Sequence, residues 1–89
     1  MKHYNLKIKG KVQGVWYRGS TKRKALELGI KGFVRNESDG SVYAEIEGEE
    51  TQLNALIQWC KSGPPLANVT SVEVEASEIM NFKDFEIQR

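Results

Sequence analysis

The sequence predicts an α+β sandwich on three observations: stretches that alternate apolar and polar residues, stretches with apolar residues at helical spacing, and their order, strand, helix, strand, strand, helix, strand. In the first stretch, Tyr4 to Val12, residues Tyr4, Leu6, Ile8 and Val12 are apolar while Asn5, Lys7, Lys9 and Lys11 are polar; only Gly10 breaks the period. Such a strand has one dry and one wet face. Tyr17, Thr21, Ala25 and Leu28 then form one stripe of a helix that Gly29 stops, with Lys22, Arg23 and Lys24 on its solvent side. Ile30 to Arg35 reads as a second strand. Val42, Ala44 and Ile46 mark a third, with Ser41, Tyr43, Glu45 and Glu47 on its other face. Between them Asp39-Gly40 predicts a two-residue type I′ hairpin, which needs positive φ at both central positions. Glu49 and Glu50 put negative charge at the start of a second helix, whose apolar face Leu53, Leu56, Ile57 and Cys60 ends at Ser62-Gly63-Pro64-Pro65. Val72, Val74 and Ala76, alternating with Glu73, Glu75 and Ser77, make a fourth strand. Phe82, Phe85 and Ile87 predict a short final strand or a tail pinned to the core.

This order is the split βαβ arrangement of a ferredoxin-like βαββαβ sandwich. With right-handed crossovers the strand of one unit slots between those of the other, giving an antiparallel sheet in the order 4-1-3-2 with two helices on one face and a short C-terminal strand. Strands one and two then run in the same direction. The loop after strand one and the hairpin after strand two leave the same end of the sheet, so Asn36 is expected to face that loop.

A chain of 89 residues supports one hydrophobic core, and residues 1–89 are read as a single domain. Apolar residues make up 39% and charged residues 28%, intermixed along the chain, which fits a globular protein and argues against disorder. The net charge of +1 supplies no broad field for nucleic acid or anionic membrane. No apolar run approaches the roughly 20 residues that span a bilayer, and the start shows no signal peptide. Cys60 is the only cysteine, which rules out an internal disulfide and fits a reducing compartment. The expectation is a cytoplasmic monomer. Asn36-Glu37-Ser38 and Asn68-Val69-Thr70 match the glycosylation pattern by chance, since no secretory signal accompanies them.

Chemistry concentrates in Gly10-Lys11-Val12-Gln13-Gly14-Val15-Trp16-Tyr17-Arg18, between the first strand and the first helix. A glycine-bearing turn running into a helix start leaves backbone N–H groups without intrachain partners, and such a place attracts anions. Arg18 at the junction could clamp a phosphate or carboxylate against those amides. Asn36 adds a side chain that can accept from and donate to a water. No nucleophile, base or metal constellation is evident: Ser20 begins a helix, Cys60 reads as core, His3 lies near the chain start and reads as structural or incidental, and the acidic residues are scattered along exposed faces. A site of this kind suits water attack on a phosphoryl group that already carries a good leaving group.

The loop, together with Ala25, Gly29, Gly32-Phe33-Val34 and Asn36-Glu37-Ser38-Asp39-Gly40-Ser41-Val42, resembles the acylphosphatase family from about Tyr4 to the C-terminus. The resemblance implies hydrolysis of carboxyl–phosphate mixed anhydrides. It makes Arg18 the phosphate-binding arginine, Asn36 the residue that positions the water, and the amides of Gly14, Val15, Trp16, Tyr17 and Arg18 the phosphate cradle. It also implies that the substrate phosphate takes the water's proton, with no metal and no cofactor. Tyr17 stands where the family often has phenylalanine, and Trp16 is bulky for the loop. The rival is a ferredoxin-like module that binds a small anion or RNA without turnover; Lys31-Gly32-Phe33-Val34 resembles the start of the RNA-binding aromatic motif, but Arg35-Asn36-Glu37 does not continue it.

Overall fold

Which face of each strand is dry is set by the alternation, and the pairing of the strands carries that choice across the sheet. The computed structural model of the chain describes residues 1–88. Its elements are β1 (Lys2–Lys11), α1 (Tyr17–Leu28), β2 (Lys31–Asn36), β3 (Val42–Gly48), α2 (Glu50–Cys60), β4 (Asn68–Ser77) and β5 (Phe85–Gln88). In the register, Leu6 faces Ala44 and Ile8 faces Val42 on the core side, while His3 faces Glu47 and Lys7 faces Tyr43 on the other. Both helices lend their apolar stripes to the core side: Tyr17, Thr21 and Ala25 from α1 and Leu53, Leu56 and Cys60 from α2 are buried. No helix among the described residues is long and apolar enough to cross a membrane.

The sheet order is β4-β1-β3-β2-β5, so the expected 4-1-3-2 arrangement holds and gains a fifth strand. That strand pairs parallel to β2, with Gly32 against Phe85 and Val34 against Ile87, which makes the sheet mixed rather than wholly antiparallel. The reason is a crossover after β4 that carries the chain beneath the open face of the sheet and returns it along the free edge of β2. Buried Phe85 anchors the return in the core.

Glu47 holds this crossover. Its carboxylate accepts from the N–H groups of Met80 and Phe82 and from His3 Nδ1, the last at 2.7 Å. Of the two readings of His3, structural or incidental, the first holds: it is a fully enclosed side chain of β1, stacked on Phe82 with ring centroids 5.8 Å apart. Nor is Glu47 one of the exposed acids the alternation implied, because the crossover covers it. Burial alone would raise its pKa; these hydrogen bonds outweigh that and hold its carboxyl below the ordinary value.

The hairpin also departs from expectation. Gly40 has φ +92°, but Asp39 does not take positive φ; the loop is Ser38–Gly40, closed by Glu37 N–H to Ser41 O at 2.8 Å, not a type I′ turn on Asp39-Gly40. Asp39 Oδ1 instead accepts from Ser41 N–H at 2.9 Å and from the Ser41 hydroxyl. This side-chain turn keeps Asp39 in an ordinary conformation and leaves the left-handed step to the glycine.

Candidate active site

Three elements converge at one end of the sheet. Val12, the residue after β1, is buried in the core, and the chain then turns through Gly14 at φ +74° and Trp16 at φ +66° into α1. Val15 and Tyr17, between and after them, have ordinary negative φ. Alternating handedness is the backbone pattern from which concave anion-binding nests are built. The start of α1 sharpens the effect. Trp16 occupies its N-cap without a side-chain cap and the first turn has no acidic residue, so the positive end of the helix is not neutralised by its own sequence. Ser20 N–H, bonded to Trp16 O at 3.0 Å, is the first amide of the helix with a backbone partner.

Register places Asn36 opposite this loop. It faces Val42 across the β2–β3 pair, on the core side shared by Val34 and Ala44, so at the end of β2 its side chain is directed to where α1 begins. Gly14, Trp16, Tyr17, Arg18 and Asn36 line a single cleft of about 450 Å³. Asn36 Oδ1 is buried and accepts no hydrogen bond from a described residue. A buried acceptor without a donor is costly unless a ligand supplies the proton. Arg18 makes no ion pair with a described residue, whereas Arg35 is tied to Glu37 at 3.0 Å.

Val15 is the expected cradle residue that does not line the cleft. Its side chain is buried in the core and anchors the loop from below. Tyr17 likewise has a structural side chain: its hydroxyl donates to Cys60 O at 2.7 Å, and burial raises its pKa far above the ordinary value. Burial also pushes the Cys60 thiol up to about 12, so it supplies no thiolate at neutral pH. Among the described residues, none that lines the cleft is acidic, histidine, cysteine or serine, and no group of three or more His, Cys, Asp or Glu is placed to hold a metal ion.

The structure adds residues that the sequence reading passed over. Gln13 reaches across from the loop, and its Nε2 donates to the carbonyls of Glu37 and Ser41, both at 2.8 Å. One side chain thus ties the cradle to the hairpin that carries Asn36. Ile87 from β5 and Gly19 in the first turn of α1 complete the wall. A polar residue enclosed by Gly10 and Gly14 was a signal for Gln13; nothing local named its partners. For Ile87, the period it shares with Phe85 gave the face but not the neighbouring strand.

The fold is thus a ferredoxin-like α+β sandwich, and at one end of its sheet an uncapped helix start, one arginine and a buried amide oxygen share a cleft. The acylphosphatase family model matches residues 4–87. An acylphosphatase of Acaryochloris marina is 54% identical over 92% of this chain and 88% of its own. That of Methylococcus capsulatus is 46% identical over 100% of this chain and 98% of its own. The crystal structure of acylphosphatase from Bacillus subtilis superposes with a TM-score of 0.97 at 31% identity and covers 100% of both chains. The chain belongs to the acylphosphatase family, hydrolases that act on acyl phosphates.

Proposed function

We propose that residues 1–89 act as one acylphosphatase unit in which Arg18, Asn36 and the amides of Gly14, Val15, Trp16, Tyr17 and Arg18 carry the hydrolysis of a carboxyl–phosphate bond. The phosphoryl oxygens sit in the nest, held by the loop N–H groups and by the guanidinium of Arg18 as a fork of donors. Water attacks phosphorus opposite the acyl oxygen. Asn36 Oδ1 accepts one of its hydrogens and so aims a lone pair at phosphorus. As the new P–O bond forms, the P–O bond to the acyl group breaks and its electron pair leaves with the carboxylate. The proton of the attacking water passes to a phosphoryl oxygen of the substrate, which yields inorganic phosphate. A carboxylate is a weak base, with a conjugate-acid pKa of about 4, so it leaves without a general acid. No acid–base side chain is required, in keeping with the lining of the cleft.

The observation that carries this proposal is the buried Asn36 Oδ1, without a partner among the described residues, in the cleft that Arg18 and the uncapped helix share. All the groups named come from one chain, in keeping with a monomer, and the enclosed Cys60 is in keeping with a cytoplasmic protein. The RNA-binding alternative loses support because Phe33 on the open face packs against both Tyr43 and Phe82 and Arg35 lies 4.8 Å above the Tyr43 ring, so these aromatic rings are already engaged with the chain's own side chains. The test is phosphate release from benzoyl phosphate, with excess chelator, by the wild type and by Arg18→Ala. The wild type should release phosphate and the variant should lose about 100-fold or more in kcat/KM, the scale of losing an oxyanion donor. A folded Arg18→Ala protein with full activity would remove Arg18 from the mechanism.

A further inference from the structure

Trp16 carries a cost that the fold does not recover. It holds φ +66°, a region in which a side chain beyond glycine costs about 1–2 kcal/mol, and the residue is 80% exposed. Its ring stacks on no other described aromatic ring or cation; Tyr17 and Trp59 pair with each other instead. Strain kept at an exposed apolar side chain beside a catalytic loop points to a ligand as the missing partner.

The surroundings say which part of the ligand. The indole leans over the first turn of α1, where Cε3 lies 3.7 Å from the position a Cβ on Gly19 would take. From there it lines the same cleft as Arg18 and Asn36. Ile87, 39% exposed, lines it as well, and Val12 is the third apolar side chain of the lining. The cleft therefore has a polar part, which suits a phosphoryl group, and an apolar lip outside it. An acyl phosphate has the same two parts, joined by one anhydride oxygen. Once the phosphoryl group is seated, the acyl substituent has the lip as its neighbour.

We propose that the Trp16 indole, with Ile87, is the acyl-binding shelf of this enzyme and sets its preference for acyl phosphates with a flat aromatic or bulky apolar acyl group over those with a short one. The inference rests on the acylphosphatase reading of the cleft. An aromatic acyl group gains an offset-stacked partner and sheds water from both faces, whereas an acetyl group is too small to reach across the indole.

The test compares kcat/KM for benzoyl phosphate and for acetyl phosphate within each of three proteins: wild type, Trp16→Phe and Trp16→Ala. Taking the ratio within one protein cancels any change in the cradle or in stability that the substitution brings. The ratio should favour benzoyl phosphate in the wild type, fall about tenfold in Trp16→Ala through a higher KM for benzoyl phosphate, and be largely restored in Trp16→Phe. A second readout is independent of turnover. In a Trp59→Phe background Trp16 is the sole tryptophan, and a non-hydrolysable benzoylphosphonate should change its emission on binding, whereas acetylphosphonate should not. Hydrolysis of both substrates with the same ratio in all three proteins would overturn the shelf and leave the acylphosphatase mechanism standing. Hydrolysis of neither substrate by the folded wild type would overturn both.

Discussion

Among the described residues Gln13 is the side chain that ties the loop before α1 to the hairpin, and the cost of Gln13→Ala can be worked from the bonds it makes. Nε2 donates to Glu37 O and Ser41 O, each at 2.8 Å. Neither carbonyl is orphaned by the substitution, because Glu37 O also accepts from Gly40 N–H at 3.2 Å and Ser41 O from Glu37 N–H at 2.8 Å. The loss is therefore two neutral hydrogen bonds without the extra cost of stranded carbonyls, about 1–3 kcal/mol in all. For a domain of this size that lowers Tm by roughly 4–24 °C. The kinetic cost is separate. With loop and hairpin no longer fastened, Asn36 drifts relative to Arg18, and kcat should fall between about tenfold and a hundredfold, the scale of a small misplacement of reacting groups. Gln13→Glu keeps the shape but presents an acceptor to two carbonyls and should be at least as damaging. Urea denaturation and steady-state hydrolysis of benzoyl phosphate measure both effects. A Gln13→Ala protein with wild-type stability and wild-type kcat would refute the tether, as would a Gln13→Glu protein that behaves like wild type.

Three further outcomes are expected. Asn36→Ala should lose about 100-fold in kcat yet stay within about 1 kcal/mol of wild-type stability, because its Oδ1 has no described partner to lose; a large loss of stability in denaturant would make Asn36 a structural residue instead. Stability should be fully developed above the ordinary carboxyl value of 4.5 and should fall as pH drops through the lower folded value of Glu47, because the folded state then binds fewer protons than the unfolded chain; Glu47→Gln should have a shallower acid limb in pH-dependent unfolding, and an unchanged limb would contradict the assignment. Asp39, held below its ordinary value by its bonds from Ser41 and by Lys7, acts with the same sign, so Asp39→Asn should also flatten the fall, and by less than Glu47→Gln if burial governs the size of the effect.

Much of this architecture could be read from residue periodicity, and the parts that could not share a physical cause. The core faces of β1, α1 and α2 were legible because local spacing alone decides which side of an element is dry. Asn36 could be placed opposite the loop because parallel running of β1 and β2 follows from connectivity and handedness. The partner of β5 was not legible: Phe85 and Ile87 show a face, but a strand of four residues does not name the edge it joins. Burial of His3 and Glu47 was hidden for a related reason. Both lie on the face that alternation marks as wet, and only the crossover through Met80 and Phe82 dries it. At the hairpin a local rule met a stronger local competitor, since Asp39 bonds Ser41 and keeps out of the left-handed region that a type I′ turn demands. Within the site, Arg18 and the loop amides were legible as a helix start without a cap, whereas Gln13 required knowledge of what lies across the cleft.

The measurement that tests the central claim most directly is the position of oxygen label after hydrolysis of benzoyl phosphate in water enriched in oxygen-18. Attack at phosphorus in the cradle of Gly14 to Arg18 predicts that the label enters inorganic phosphate and that benzoate keeps its original oxygens. Label in benzoate would mean that water attacks the acyl carbon, and Arg18 as phosphoryl clamp and Asn36 as water guide would fall together.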